Sequence, residues 1–135
     1  MKYYLDTNIC VYFLKASNQN LKQKILSESP DNIKIPSIVK AELLYGAEKS
    51  QKKNENMVRI NQFLFPMEII GFNDQESIEY SKIRADLEKR GEIIGPNDLF
   101  IAAIVKANKG TLVTNNTKEF KRVSDLQIVD WSTSK

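Results

Sequence analysis

The stretch that most constrains this chain is Tyr3-Tyr4-Leu5-Asp6-Thr7-Asn8. A short apolar run ends in an acid, and a second apolar run, Ile9 to Leu14, begins almost at once. A buried strand running straight into a helix satisfies that pattern and leaves a carboxylate at the strand's C-terminal tip. In open α/β sheets, that tip is where sites form. The alternation then repeats. A helix over about Asn8–Lys15 meets a polar break at Ser17–Asn20, and Leu21, Ile25 and Leu26 recur at helical spacing up to Ser29-Pro30. Asp31-Asn32 is a turn signal, and Ile33–Ile35 is a short strand closed by Pro36. Ser37 is placed to N-cap a long helix carrying Ile38, Val39, Ala41, Leu43, Leu44 and Ala47. The polar run Glu48–Asn56 holds a turn or helix end, and Met57, Ile60, Phe63 and Leu64 resume a stripe that Pro66 terminates.

The second half continues in the same way. Glu68–Phe72 is a strand, and Asn73 or Asp74 caps a helix whose apolar positions are Ile78, Ile83 and Leu87. Lys89-Arg90-Gly91 is its basic end and glycine stop. After the loop Glu92–Gly95, Pro96-Asn97-Asp98 opens a helix from Leu99 to Asn108 that is apolar on nearly every side, hence buried. Thr111–Thr114 is a strand, Asn115-Asn116 a polar turn, Lys118–Lys121 a short helix and Gln127–Val129 a last strand. Trp131 is expected to pack near the chain end, with Ser132–Lys135 as a frayed tail. Strands alternating with helices make a mainly parallel α/β sheet of four to five strands the economical fold, as one domain over residues 1–135.

Composition removes whole classes of chemistry. The chain contains no histidine, so Ser-His-Asp and Cys-His catalysis, histidine-based RNA cleavage and most zinc sites are excluded. An enzyme built from this sequence has to work with carboxylates, lysines or bound metal ions. Cys10 is the one cysteine, set in an apolar helix start; it forms no internal disulfide and reads as a small buried hydrophobe. A formal charge of +3 permits an anionic partner without demanding one. No apolar run approaches the roughly 20 residues of a membrane span, and Asp6 comes too early for a signal peptide, so a cytoplasmic protein is expected.

Three acids stand in apolar company. Asp6 ends the first strand, Glu42 borders the apolar face of its helix, and Asp98 lies in the first turn of the buried helix. Each has an ordinary alternative: Asp6 as a helix cap, Glu42 as an exposed edge residue, Asp98 as a complement to the helix dipole. Their order along an alternating sheet brings all three to one edge. Converging carboxylates repel, and a hard divalent cation such as Mg²⁺ offsets that repulsion with oxygen ligands alone.

The blocks L-D-T-N-I at 5–9, P-S-I-V-x-A-E-L-x-x-G-A at 36–47, G-P-N-D-L-F-I-A-A at 95–103 and T-N-N-T-K-E-F at 114–120, with the D-W of Asp130-Trp131, resemble PIN-domain ribonucleases of the VapC toxin type. The resemblance covers nearly the whole chain in order. It implies a three-layer α/β/α PIN-like fold and an endoribonuclease dependent on Mg²⁺ or Mn²⁺, with one or two ions. Asp6, Glu42 and Asp98 match the family's acidic metal-binding positions. Many PIN domains carry a further aspartate in T-x-D after the fourth strand. Asn116 stands there instead and leaves the second ion open, with Glu119 as a nearby carboxylate or an ordinary surface acid. Thr7, Asn8, Thr114 and Asn115 are supporting candidates, through positioning or through local turn and cap bonding.

The resemblance further implies a homodimer and a VapB-type antitoxin whose C-terminal segment covers the site, with DNA contacted only through the antitoxin. The subgroup that cuts transfer RNA in the anticodon region makes tRNA the expected substrate. Lys49, Lys52, Lys53, Lys89, Arg90, Lys118, Lys121 and Arg122 are the candidates for holding its backbone. The helices around Ile38–Leu44 and Met57–Leu64 are candidates for an apolar groove. A haloacid-dehalogenase-like phosphatase needs D-x-D where D-T-N stands, and no Walker loop is present. A non-catalytic PIN-like RNA-binding or scaffold module and a DNA-directed PIN-like nuclease remain as alternatives.

Overall fold

The computed structural model describes residues 1–133. A five-stranded sheet with the order β3-β2-β1-β4-β5 runs through the centre, and every neighbouring pair is parallel. Its strands are β1 (Tyr3–Leu5), β2 (Ile33–Pro36), β3 (Glu68–Ile70), β4 (Thr111–Val113) and β5 (Gln127–Val129). The helices are α1 (Thr7–Lys15), α2 (Gln19–Ser27), α3 (Ser37–Glu48), α4 (Lys53–Leu64), α5 (Asp74–Arg90), α6 (Pro96–Ala107) and α7 (Thr117–Phe120), with a 3₁₀ turn at Pro30–Asn32. Parallel neighbours need crossover connections, so helices cover both faces and the fold has three layers, α/β/α. α1, α3 and α4 pack together, and α5 packs along α6.

Several boundaries differ from the sequence expectation, each for a local reason. Pro36 is the last residue of β2 and occupies the cap position of α3, so Ser37 is the first helical residue and caps nothing. β3 stops at Ile70, and Phe72 turns away to meet the rings of Tyr80 and Phe100 at 5.8 and 5.0 Å. α2 ends at Ser27. Leu26 and Ile78, expected on buried stripes, are more than half exposed, since each helix buries only the narrow face toward its neighbours. Asn73 caps α5 in a reciprocal box with Glu76, whose other oxygen accepts from the Asn108 amide at the end of α6.

The core forms where the composition concentrates it. Leu99, Ile101, Ala102, Ala103, Ile104 and Val105 of α6 are buried against Leu5, Ile35, Leu112 and Val113 of the sheet layer. Each Leu or Ile so enclosed stabilises the fold by about 1.5–3 kcal/mol relative to leaving it in water. Cys10 is buried in the same core, which pushes its thiol well above the usual range and leaves it unreactive. Trp131 is buried with its ring 4.8 Å from that of Tyr3. The tail beyond it is tied down as far as Thr133, because Asn18 donates to the Ser132 carbonyl and Asn20 to the Thr133 carbonyl. Ser134 and Lys135 lie outside the described residues.

Gly110, at the start of β4, exists to let the Tyr4 ring pass. A Cβ there would overlap Cδ1 and Cε1 of that buried ring and press on the Lys2 carbonyl. Gly110→Ala is expected to cost about 1–3 kcal/mol as an overpacking change. A lower urea midpoint with an unchanged slope checks this; an unshifted midpoint refutes it.

Candidate active site

The chain leaves β1 toward β2 on one side and returns to β4 on the other, so the sheet's switch point lies between β1 and β4. Ligand sites of such sheets form outside the strand ends at that point. Asp6 follows β1, and Thr114-Asn115-Asn116 follow β4, so the two candidate segments face each other by topology alone. The pairing continues past the strands through the Asp6 N–H to the Val113 carbonyl at 3.2 Å.

Asp6 is 5% exposed and serves as cap and candidate ligand at once. Oδ1 accepts from the Ile9 N–H at 3.0 Å, which starts α1, and Oδ2 accepts from the buried Thr114 hydroxyl. Burial pushes the Asp6 carboxyl up; the bonds from Thr114 and Ile9 pull it back, and the nearby Asp130 charge adds to the rise. Thr114 Oγ1 in turn accepts from the Asn116 N–H at 2.9 Å, so the turn after β4 is latched to Asp6 through one hydroxyl.

Asp98 lies in the first turn of α6, where Pro96 fixes the helix start. Its carboxyl is pushed up to about 6, first by burial, then by the charges of Glu119 and Asp6. The neighbouring Glu119 carboxylate thus favours the protonated form of Asp98. Glu119 is shifted the other way. Its Oε1 accepts from the Gly95 N–H at 3.0 Å and its Oε2 from the Asn116 amide at 3.1 Å, which hold it ionised below the usual range. Asn116 therefore supplies no acid. It aims one, three residues on, along the short helix α7. The N-x-x-E spacing at 116–119 is the sequence signal for this arrangement, since an N-cap residue and the one three positions later meet across a first helical turn.

Glu42 reaches the same edge by another route. It is half-buried on α3, and its Oε1 accepts from the side chain of Asn97, the residue before Asp98. Among the described residues, no three Asp, Glu, Cys or His side chains stand as a ready-made metal cage. Asp98 lies near enough to Glu119 and Asp6 to feel both charges, whereas Glu42 is engaged by Asn97, one residue along α6. Thr7 is half-buried, and Asn8 is exposed on α1. Asn115 donates to the Tyr12 hydroxyl at 3.1 Å, tying the β4 turn to α1 through a residue the sequence did not single out. Asp130, at the end of β5, holds the Ser132 N–H at 2.8 Å and stands near enough to act on Asp6.

The basic candidates divide. Arg90 is committed to Asp86, Glu92 and the Arg122 carbonyl, and Arg122 donates to the Ile93 carbonyl at 2.9 Å. Together they brace the loop that presents the Gly95 N–H to Glu119. Lys53 pairs with Glu48 at 2.9 Å, and the Lys49 ammonium lies 4.8 Å from the Tyr45 ring centre. Lys52, Lys89, Lys118 and Lys121 are exposed. A groove of about 190 Å³ opens between α1, α3 and α4, floored by Val11, Leu43 and Ile60 and edged by Lys15, Glu42 and Arg59. No helix among the described residues is long and apolar enough to cross a membrane.

The PIN domain family model matches residues 3–126. Over 132 residues the chain is 45% identical to ribonuclease VapC2 of Rickettsia felis, covering 97% of this chain and 98% of that protein. It is 34% identical to the tRNA(fMet)-specific endonuclease VapC of Shigella flexneri, covering 98% of this chain and 99% of that one. The fold superposes on the Rickettsia felis VapBC2 complex, solved bound to a promoter DNA fragment, with a TM-score of 0.91, 44% identity and coverage of 97% and 99%. It superposes on DNA-bound VapBC of Salmonella typhimurium with a TM-score of 0.92, 33% identity and coverage of 97% and 98%. The two acids at the switch point, the α/β/α frame around them and these matches lead to one conclusion: the chain belongs to the PIN-domain family, among its VapC-type ribonuclease toxins.

Proposed function

We propose that this protein is a divalent-cation-dependent endoribonuclease toxin that cuts tRNA in the anticodon region and is restrained by a VapB-type antitoxin. The observation that carries the reading is Asp98 itself, half-buried in the first turn of α6 beside the charges of Glu119 and Asp6, its carboxyl raised to about 6 by burial first and by those charges second. Uncompensated negative charge at a sheet switch point is what a hard cation relieves, and the donors there are all oxygens, with no histidine in the chain. The residues present thus fit Mg²⁺ or Mn²⁺. Asp6, Glu42 and Asp98 would hold one ion, and Glu119, aimed by Asn116, is the carboxylate on offer beside a second.

A bound Mg²⁺ or Mn²⁺ would supply a water that ionises near neutral pH and a counter-charge for the scissile phosphate. The chain's own contribution is orientation. Ile9 and Thr114 fix both oxygens of Asp6, and Gly95 and Asn116 fix both oxygens of Glu119. Such pre-set carboxylates need no reorganisation when substrate arrives. The exposed Lys52, Lys89, Lys118 and Lys121 are left to hold flanking phosphates, with Lys49 and Lys53 at the end of α3 as further contacts. A hairpin loop suits the target because its unstacked bases are accessible.

The partners follow the same reading. The α1–α3–α4 groove takes an apolar antitoxin segment, and its Lys15 and Arg59 rim is placed to meet acidic flanks. The cleft formed by Ile38, Ala41, Phe72 and Phe100, with Tyr45 58% exposed on the same helix as Ile38 and Ala41, is the face for a homodimer. DNA is reached only through the antitoxin, and the protein works in the cytoplasm.

Purified, antitoxin-free protein should cleave total tRNA with Mg²⁺ or Mn²⁺ and leave 5′-phosphate and 3′-hydroxyl ends. EDTA should stop the reaction, and Asp6→Asn should slow it at least about 100-fold with the fold intact. Cleavage that survives EDTA or is undiminished in Asp6→Asn refutes the reading. Binding without cleavage supports an RNA-binding scaffold, and cleavage of DNA in place of RNA supports a DNA-directed nuclease.

A further inference from the structure

We infer that Asn97 is the positioning residue for Glu42, an inference that rests on the metal-dependent reading above. Pro96 sets the start of α6, so Asn97 and Asp98 occupy successive positions in its first turn and point about 100° apart. Asp98 turns to Glu119, and Asn97 reaches across to α3, where its side-chain amide donates to Glu42 Oε1. One short segment thereby directs two acids that come from different helices.

The chemistry of the donor explains the choice. Glu42 also lines the groove edged by Lys15 and Arg59. A guanidinium or ammonium partner would orient the carboxylate but cancel its charge. Arg59 is instead turned to the Leu14 carbonyl, and Glu42 forms no ion pair among the described residues. A neutral amide fixes one oxygen and leaves the full negative charge for a cation. Partners that hydrogen-bond a metal-ligating carboxylate in this way typically change metal affinity or activity 10–100-fold when removed. Asn97 itself is exposed at a helix N-terminus, where its backbone N–H needs no intrahelical partner, so its side chain does little for the fold.

The test is a double-mutant cycle read by Mn²⁺ binding, by calorimetry or by electron paramagnetic resonance of free Mn²⁺, alongside kcat and KM on tRNA. Asn97→Ala should weaken Mn²⁺ binding about 10-fold and lower kcat with KM for RNA unchanged. Its Tm should stay within about 2–4 °C of wild type, as for a surface substitution. Glu42→Ala should weaken binding at least as much, and the Glu42→Ala/Asn97→Ala double variant should equal Glu42→Ala alone. Unchanged Mn²⁺ binding in Asn97→Ala, or an undiminished further loss when it is added to Glu42→Ala, overturns the inference while leaving the nuclease reading in place. A Glu42→Ala variant identical to wild type likewise overturns the inference alone, whereas a wild type that neither binds Mn²⁺ nor cleaves RNA overturns the metal reading itself, and the role of Asn97 falls with it.

Discussion

Asp98→Asn is expected to abolish cleavage and, in the absence of metal, to stabilise the fold at neutral pH. Both effects come from one source. The folded-state Asp98 carboxyl sits at about 6, against an ordinary value of 3.8, because burial strips water from its charged form and the charges of Glu119 and Asp6 then repel it. Above that range the folded protein carries a repulsion that the unfolded chain relieves. Between the two values the folded state keeps the proton and the unfolded state releases it, so this repulsion disappears as pH falls. An asparagine never acquires the charge. The variant should therefore gain about 1 kcal/mol at pH 8, after allowance for solvent screening, or about 3–5 °C in Tm. The gain should narrow as pH falls from about 6 toward 4 and vanish below that. Thermal unfolding in EDTA at pH 8, 6 and 4 measures it, and a lower Tm at pH 8 would contradict the charge-crowding argument. Added Mg²⁺ should raise the Tm of the wild type well above any change in the variant, because a ligand bound only to the folded state stabilises by mass action. Cleavage by Asp98→Asn should fall at least about 100-fold.

Phe120→Ala is expected to have the largest effect on stability, about 3–5 kcal/mol, and to remove activity along with it. Phe120 is fully buried and ends α7, a helix of four residues. A single turn cannot pay its own nucleation cost, so packing holds it in place. Glu119 is the preceding residue, and its bonds to Gly95 and Asn116 exist only while α7 stays docked beside β5. Urea denaturation should show the full loss, and tRNA cleavage well below the lowered Tm should drop as well. A destabilised variant with wild-type cleavage would show that the placement of Glu119 does not matter.

The strand and helix order was legible because periodicity reports burial directly. α6 is apolar all round and is buried, and Tyr3–Leu5 followed by Asp6 is a strand tip. Asp6 and Asp98 were legible for the same reason, as charges standing where burial was predicted. Two things were not. Leu26 and Ile78 lie on helical stripes yet face solvent, because periodicity gives a face and not its width. Arg90 and Arg122, whose charge suits phosphate contacts, brace the loop before α6, because charge patterning cannot tell a free cation from a committed one.

An α/β fold, an acid at the tip of its first strand and a chemistry without histidine follow from local pattern and composition, which are properties of the chain alone. The division of the acids is set by long-range packing. It fixes Glu119 by Asn116 and Gly95 beside Asp98, holds Asp6 by Thr114 across 108 residues of sequence, and hands Glu42 to Asn97. Those contacts are set by strand order and by the docking of α3, α6 and α7. Side-chain hydrogen bonds reach only a few ångströms, so which acids are aimed and which are crowded depends on how the layers close.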